Sequence, residues 1–250
     1  MMLGVDVGNT NTSFGVFKSG ALLHKFDLKT DKRATAFEFL SFLESIFGYF
    51  KINSNEIKQV KVASVVPELE RVLNELFTSV YNIPTQFITT NNIPLKINLL
   101  NPSEVGIDRL LNVISALKSY GTEKNVLIID FGTAITFDVG LKSFEYEGGI
   151  IFPGINLSLE ALKNGTAKLP KVSLQKATSP VGRSTSEAIN AGLFYGYASM
   201  VNGCVKEIKS RYKEDFTVIV TGGYGELLSS YFDFDFKLDY NLILRGIFAL

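Results

Sequence analysis

The chain has 250 residues, with 25 Lys and Arg balanced by 25 Asp and Glu, one Cys, one His and 46% hydrophobic residues. That is enough apolar material for one large globular domain or two of ordinary size. Zero net charge and no basic run remove the attraction on which nucleic-acid binding depends, so nucleic acid is not an expected partner. A single Cys excludes an internal disulfide and a cysteine-based zinc cage, and a single His excludes a histidine-rich metal site. No apolar run approaches the ~18 residues of a membrane span, and Met1 to Gly8 carries no basic leader. A cytoplasmic protein without a membrane partner is expected.

In chain order, Leu3 to Val7 is a short apolar strand ending in Asp-Val-Gly-Asn-Thr. Thr12 to Phe17 and Leu22 to Leu28 complete a β-meander around a Ser-Gly turn. Ala36 to Tyr49 has helical spacing, Val60 to Val65 is strand-like, Leu69 to Val80 is helical and Gln86 to Thr89 is a short strand. Pro102 to Tyr120 is the next helix. Val126 to Asp130 then starts a second meander, ending in Asp-Phe-Gly-Thr and followed by strands Ile135 to Val139 and Tyr146 to Phe152. A helix near Leu157 to Lys163, a loop with Gly165, Pro170 and Pro180, and a long helix from Thr185 to about Lys213 follow. Val218 to Val220 runs as a strand into Thr221-Gly222-Gly223, with helices expected over Glu226 to Tyr231 and Tyr240 to Leu250. The alternating aromatic and acidic run Tyr231 to Phe236 reads as an amphipathic strand. Meander, helix, strand, helix, occurring twice, predicts two α/β domains of like topology, 1–115 and 116–250, with a cleft between the two Asp-x-Gly turns.

A phosphate is held by clustered N–H donors on backbone without obstructing Cβ atoms, usually with a metal, and a strand ending in Asp-x-Gly-Asn-Thr offers these in one turn. Asp6 is placed to orient Mg²⁺ directly or through water. Gly8 allows close approach, and Asn9, Thr10, Asn11 and Thr12 add short polar groups. Asp130, Gly132 and Thr133 form a similar set. Each turn taken alone is also ordinary hairpin chemistry. Their equivalent places in a repeat carry the phosphate reading. Thr221-Gly222-Gly223, after a strand and before a helix, suits an adenosine or a plain strand-to-helix turn. His24 and Cys204 read as structural.

These three motifs resemble the phosphate and adenosine motifs of the superfamily that includes acetate kinase, sugar kinases, Hsp70 and actin. More specifically, the chain resembles the type III pantothenate kinases over nearly its whole length. Besides the three motifs it has Gly106-Ile107-Asp108-Arg109 after Asn101-Pro102, then Gly148-Gly149-Ile150-Ile151-Phe152-Pro153-Gly154. Gly182-Arg183-Ser184-Thr185 comes next, ahead of Ala188 to Gly192. Where the family often has a tyrosine shortly before its Asn-Pro, this chain reads Asn98-Leu99-Leu100.

The resemblance implies two ribonuclease H-like α/β domains of the actin-like ATPase superfamily with a nucleotide in an interdomain cleft. It also implies a homodimer that phosphorylates pantothenate to 4′-phosphopantothenate, the first step of coenzyme A biosynthesis. Carried over residue by residue, Asp108 is the catalytic base. Asp6, Val7, Gly8, Asn9, Thr10, Asn11, Thr12, Ser13 and Thr133 contact ATP, while Gly106, Ile107, Asp108 and Arg109 contact pantothenate. Thr185 reaches pantothenate from the neighbouring subunit, and Asp130 binds a monovalent cation, K⁺ or NH₄⁺. Without the family, Asp108-Arg109 also fits a surface pair or helix-end charge, Thr185 a helix cap and Asp130 a turn-capping carboxylate. A kinase for another small molecule and a nucleotide-binding regulator with little turnover are the alternative functions.

Overall fold

The computed structural model describes residues 1–120, 123–165, 170 and 172–250. Part of the expected Gly165 to Pro180 loop, at 166–169 and 171, lies outside the described residues. The chain groups into two compact units, the first comprising Met1–Leu95, Leu100–Ser115 and Asn241–Leu250, the second Lys96–Leu99 and Ala116–Tyr240.

In the first unit, strands β1 (Met2–Val7), β2 (Asn11–Lys18) and β3 (Ala21–Lys29) form the expected antiparallel meander. Helix α1 (Ala36–Phe50) starts at a capping box: Glu38 N–H donates to Thr35 Oγ1 at 3.3 Å and Thr35 N–H to Glu38 Oε2 at 2.7 Å. Its Phe39, Leu43 and Phe47 recur every four residues and are buried, as one helical face must be. Strand β4 (Gln59–Ser64) returns parallel to β1. Helix α2 (Pro67–Asn74) opens with a proline in its first turn and continues as a π-helical segment, Glu75–Val80, before β5 (Thr85–Phe87) pairs parallel to β4. The sheet order is β3-β2-β1-β4-β5.

A two-residue strand β6 (Lys96–Ile97) belongs to the second sheet. The helix expected from Pro102 begins later, as α3 (Ile107–Tyr120), because Asn101 Oδ1 accepts from Ser103 N–H and closes a separate 3₁₀ turn over Pro102–Glu104. Strands β7 (Asn125–Phe131), β8 (Ala134–Leu141) and β9 (Glu145–Pro153) make the second meander. Helices α4 (Ile155–Asn164) and α5 (Thr185–Tyr212) follow. Strand β10 (Phe216–Gly222) runs parallel to β7, and the short helix α6 (Gly225–Ser229) leads to β11 (Lys237–Leu238), parallel to β10. The order is β11-β10-β7-β8-β9-β6. Without β6 this repeats the first sheet strand for strand, with β7 in the place of β1 and β10 in that of β4, which bears out the internal repeat.

The sequence expectation fails at two further places. Tyr231 to Phe236 is not a strand: Phe232 stacks on Phe131 at 6.2 Å and on Phe234 at 5.2 Å, so the rings bury one another without a ladder partner. The last helix, α7 (Leu242–Ala249), assigned with 116–250, packs instead in the first unit. Ile247 Cγ2 lies 3.3 Å from where a Gly4 Cβ would stand, and Gly246 has no Cβ because one would sit 2.5 Å from the Leu111 carbonyl oxygen on α3. Two apolar layers thus flank β1. Leu3, Val5 and Val7 bury against α1 and α2, whereas Gly4 faces α7.

Candidate active site

Strand alternation decides what the first turn offers. Asp6 lies on the Gly4 face of β1, the α7 face, and is paired in register with Ser13 of β2. Val7 and its partner Thr12 point the other way and are fully buried. Of the residues expected to contact ATP, Asp6, Gly8 and Ser13 are therefore half-buried and Asn9, Thr10 and Asn11 exposed, but the side chains of Val7 and Thr12 are enclosed. Ser13 Oγ donates to Asp27 Oδ1 at 2.6 Å. Gly8 N–H donates to the Asn11 carbonyl at 3.0 Å and closes the turn. Thr30, missed in the sequence, holds the same turn from the end of β3: its hydroxyl donates to the Gly8 carbonyl at 2.8 Å, and its N–H donates to the Thr10 carbonyl at 2.9 Å. Nothing local marks Thr30, because its role appears only once β3 lies beside the turn.

Asp108 sits in the first turn of α3, which packs on the α7 side of the same unit. Burial pushes its carboxyl above the ordinary carboxylate value, against the lowering pull of the Arg109 N–H, 2.9 Å from Oδ1, and of the Arg109 charge. At Gly106 a Cβ would meet only the Asp108 carboxylate, so a side chain there would displace that carboxylate from its present position. Ile107 is buried, and Arg109 is half-buried with its N–H also directed to the Gly106 carbonyl at 3.2 Å.

In the second unit three glycine-bearing segments converge. Asp130 ends β7 half-buried, opposite Thr136 of β8 and Thr221 of β10. Gly132 and Thr133 form the exposed turn. Gly154, at the N-terminus of α4, donates its N–H to the Thr133 carbonyl at 3.1 Å, so the positive end of that helix abuts the turn. Gly222 has φ +84°, and a Cβ there would stand 2.5–2.6 Å from the Phe131 backbone, while Gly223 N–H donates to the Phe131 carbonyl at 3.1 Å. Tyr224 Oη donates to Asn156 Oδ1 at 2.6 Å and ties the Thr221 to Gly223 turn to α4, a link the sequence reading missed.

Thr185 is exposed at the start of α5, where Ser184 is the cap, accepting from Glu187 N–H at 3.2 Å. The capping role and the Thr185 hydroxyl are thus on separate residues. Leu99 lies against Gly148, with Cδ2 3.1 Å from the position of a Cβ there, and Leu100 is exposed. His24 packs on Phe50 at 4.5 Å, and Cys204 is half-buried with its thiol value raised by burial, in line with structural roles.

No group of three or more His, Cys, Asp or Glu side chains among the described residues is arranged to hold a metal by itself. Mg²⁺ shared with nucleotide phosphates needs only one or two protein carboxylates, and Asp6, half-buried at a strand end beside an exposed polar turn, fits that demand.

Two repeated meander-first sheets with an Asp-x-Gly turn after the first strand of each define two ribonuclease H-like domains, the fold of the actin-like ATPases. Solved structures agree in fold. A Baf family transcriptional activator from Campylobacter jejuni superposes with a TM-score of 0.60 at 21% identity over 99% of this chain and 96% of that one. Component A of (R)-2-hydroxyglutaryl-CoA dehydratase from Acidaminococcus fermentans gives 0.57 at 13% identity over 98% and 94%. The sequence is more specific than the fold. A family model described as type III pantothenate kinase matches residues 2–207. The type III pantothenate kinase of Persephonella marina is 40% identical over 100% of this chain and 98% of its own, and that of Halalkalibacterium halodurans 34% over 99% and 97%. The chain belongs to the type III pantothenate kinase family.

Proposed function

We infer that Asp108 is the general base of an ATP-dependent pantothenate kinase. The reaction comes from the family: the γ-phosphoryl group of ATP passes to the primary hydroxyl of pantothenate, giving 4′-phosphopantothenate at the first step of coenzyme A biosynthesis. Such transfer is governed by positioning and charge stabilisation, so the protein must orient the hydroxyl, hold the phosphates and receive one proton. The observation that carries the base assignment is the carboxyl of Asp108, raised by burial toward working pH and kept in place by the Arg109 N–H. A raised carboxylate is a stronger base for the hydroxyl proton as the phosphoryl group arrives.

Around it, Gly106, Ile107 and Arg109 hold pantothenate, with the Arg109 guanidinium suited to its carboxylate. The stretch Asp6 to Ser13 and Thr133 hold ATP. Within that stretch, the side chains of Val7 and Thr12 are buried and do not reach ATP directly. Asp6 holds Mg²⁺, directly or through water, and Mg²⁺ supplies charge neutralisation at the phosphates. Asp130 holds a monovalent cation, K⁺ or NH₄⁺. Thr185 contacts pantothenate bound to a second copy, so the working unit is a homodimer, and a soluble biosynthetic kinase of this kind works in the cytoplasm.

The test is ADP release by the purified protein with ATP, Mg²⁺ and K⁺, with and without pantothenate, and the product's mass. Pantothenate-dependent ADP and 4′-phosphopantothenate support the reading. ATP binding without turnover contradicts it and favours a regulatory protein or another substrate.

A further inference from the structure

We propose that Thr30 is a positioning residue for the phosphate turn, acting through Gly8; this rests on the reading that the Asp6 to Ser13 stretch holds ATP. Thr30 follows β3, outside every motif of the site, yet it bonds to two residues of the turn. Its hydroxyl donates to the Gly8 carbonyl at 2.8 Å and its N–H to the Thr10 carbonyl at 2.9 Å. Thr12 Oγ1 lies 3.0 Å from Thr30 Oγ1. A threonine hydroxyl has one proton, and that of Thr30 is committed to Gly8, so Thr12 is the donor in this pair. The result is a directed chain, Thr12 hydroxyl to Thr30 hydroxyl to Gly8 carbonyl, with Thr12 fully buried.

The chain acts where the turn is weakest. Glycine loses more conformational freedom on ordering than any other residue, and Gly8 precedes the exposed Asn9 and Thr10. With its N–H bonded to the Asn11 carbonyl at 3.0 Å and its carbonyl held by Thr30, both peptide planes at Gly8 are fixed before ligand arrives. The bond to Thr30 also polarises the Gly8-Asn9 peptide, making the Asn9 N–H a better donor to an anionic phosphate oxygen. Thr12 therefore serves ATP indirectly, which explains a residue of the motif that points away from the Asp6 face.

The experiment compares Thr30→Val, Thr30→Ser, Thr12→Val and Asn9→Asp in the full chain, measuring KM for ATP, KM for pantothenate and Tm. Thr30→Val should raise KM for ATP about tenfold and leave KM for pantothenate within about twofold, Thr30→Ser should restore it, and Thr12→Val should give a smaller rise of the same kind. Equal shifts in both KM values, a fall in Tm alone, or no rescue by serine would make Thr30 merely structural and overturn the proposal. If Thr30→Val fails to fold, the Thr12→Val and Thr30→Ser pair decides on the same readouts. Asn9→Asp puts a negative charge in the turn and separates the two claims. A raised KM for ATP in Asn9→Asp with none in Thr30→Val sinks the Thr30 role alone. An unchanged KM for ATP in both sinks the ATP reading of the turn and the proposal with it.

Discussion

Gly154 donates its backbone N–H to the Thr133 carbonyl at 3.1 Å, and its α-carbon lies so near that carbonyl that no side chain fits between them. The same economy recurs at Gly222 against Phe131, where the positive φ adds a second reason for glycine. These contacts set the position of the Gly132-Thr133 turn relative to α4 and the Thr221 to Gly223 turn.

Gly154→Ala and Gly222→Ala should each destabilise the protein by about 1–3 kcal/mol in chemical denaturation, from overpacking and backbone strain. Both should also raise KM for ATP more than KM for pantothenate. Neutral behaviour in both variants would mean that the turn moves freely and that its close packing is incidental.

Asp108→Asn should lower turnover by roughly 10² to 10⁴ while ATP binding stays close to wild type. Its effect on stability has the opposite sign. The Asp108 carboxyl lies above its unfolded value, so its contribution favours the fold where it is protonated, below the ordinary carboxylate value. That contribution is lost as pH rises through the raised folded value. The Asn variant should therefore melt higher than wild type at neutral pH, with the gap closing on acidification. Melting curves from pH 4 to 8 check this, and a variant that melts lower throughout would argue against a desolvated carboxyl.

Asp130→Asn should abolish the dependence of activity on K⁺. In wild type, replacing K⁺ with Na⁺ should depress the rate, because a monovalent cation at a hard oxygen ligand is discriminated by size. An enzyme indifferent to the exchange would return Asp130 to turn capping.

Gly192, Gly196 and Gly203 are exposed on α5, with open space where each Cβ would be. Glycine in a helix interior costs about 1 kcal/mol relative to Ala. On a free helix face, changing Gly196 to Ala should stabilise the protein. If the face meets a second copy in the proposed homodimer, Gly196→Leu should shift the mass measured by light scattering toward monomer and lower turnover. A stable, fully active Gly196→Leu protein would count against that dimer face.

Much of the fold was legible because strand alternation and the paired Asp-x-Gly turns are local signals. The repeat β1-β2-β3 and β7-β8-β9 could be read directly, as could the capped start of α5. The failures have physical causes. Phe232, Phe234 and Phe236 alternate like a strand, but Phe232 stacks on Phe131 and Phe234 and takes the edge of Phe236, so the rings pack on one another and not in a ladder. The end of the chain packs on β1 at Gly4 and on α3 at Gly246, a long-range choice that no local pattern reveals. At the site, the motif Asp6 to Ser13 was visible, but the inward turn of Thr12 followed only from its register with Val7, and Thr30 only from tertiary placement.

The most direct test of the mechanism is to measure ATP binding and turnover on one preparation of Asp108→Asn beside wild type. ATP should bind with near-equal affinity by calorimetry, and pantothenate-dependent formation of 4′-phosphopantothenate should fall by at least about 10²-fold. Wild-type turnover in the variant would contradict the assignment of Asp108 as the base.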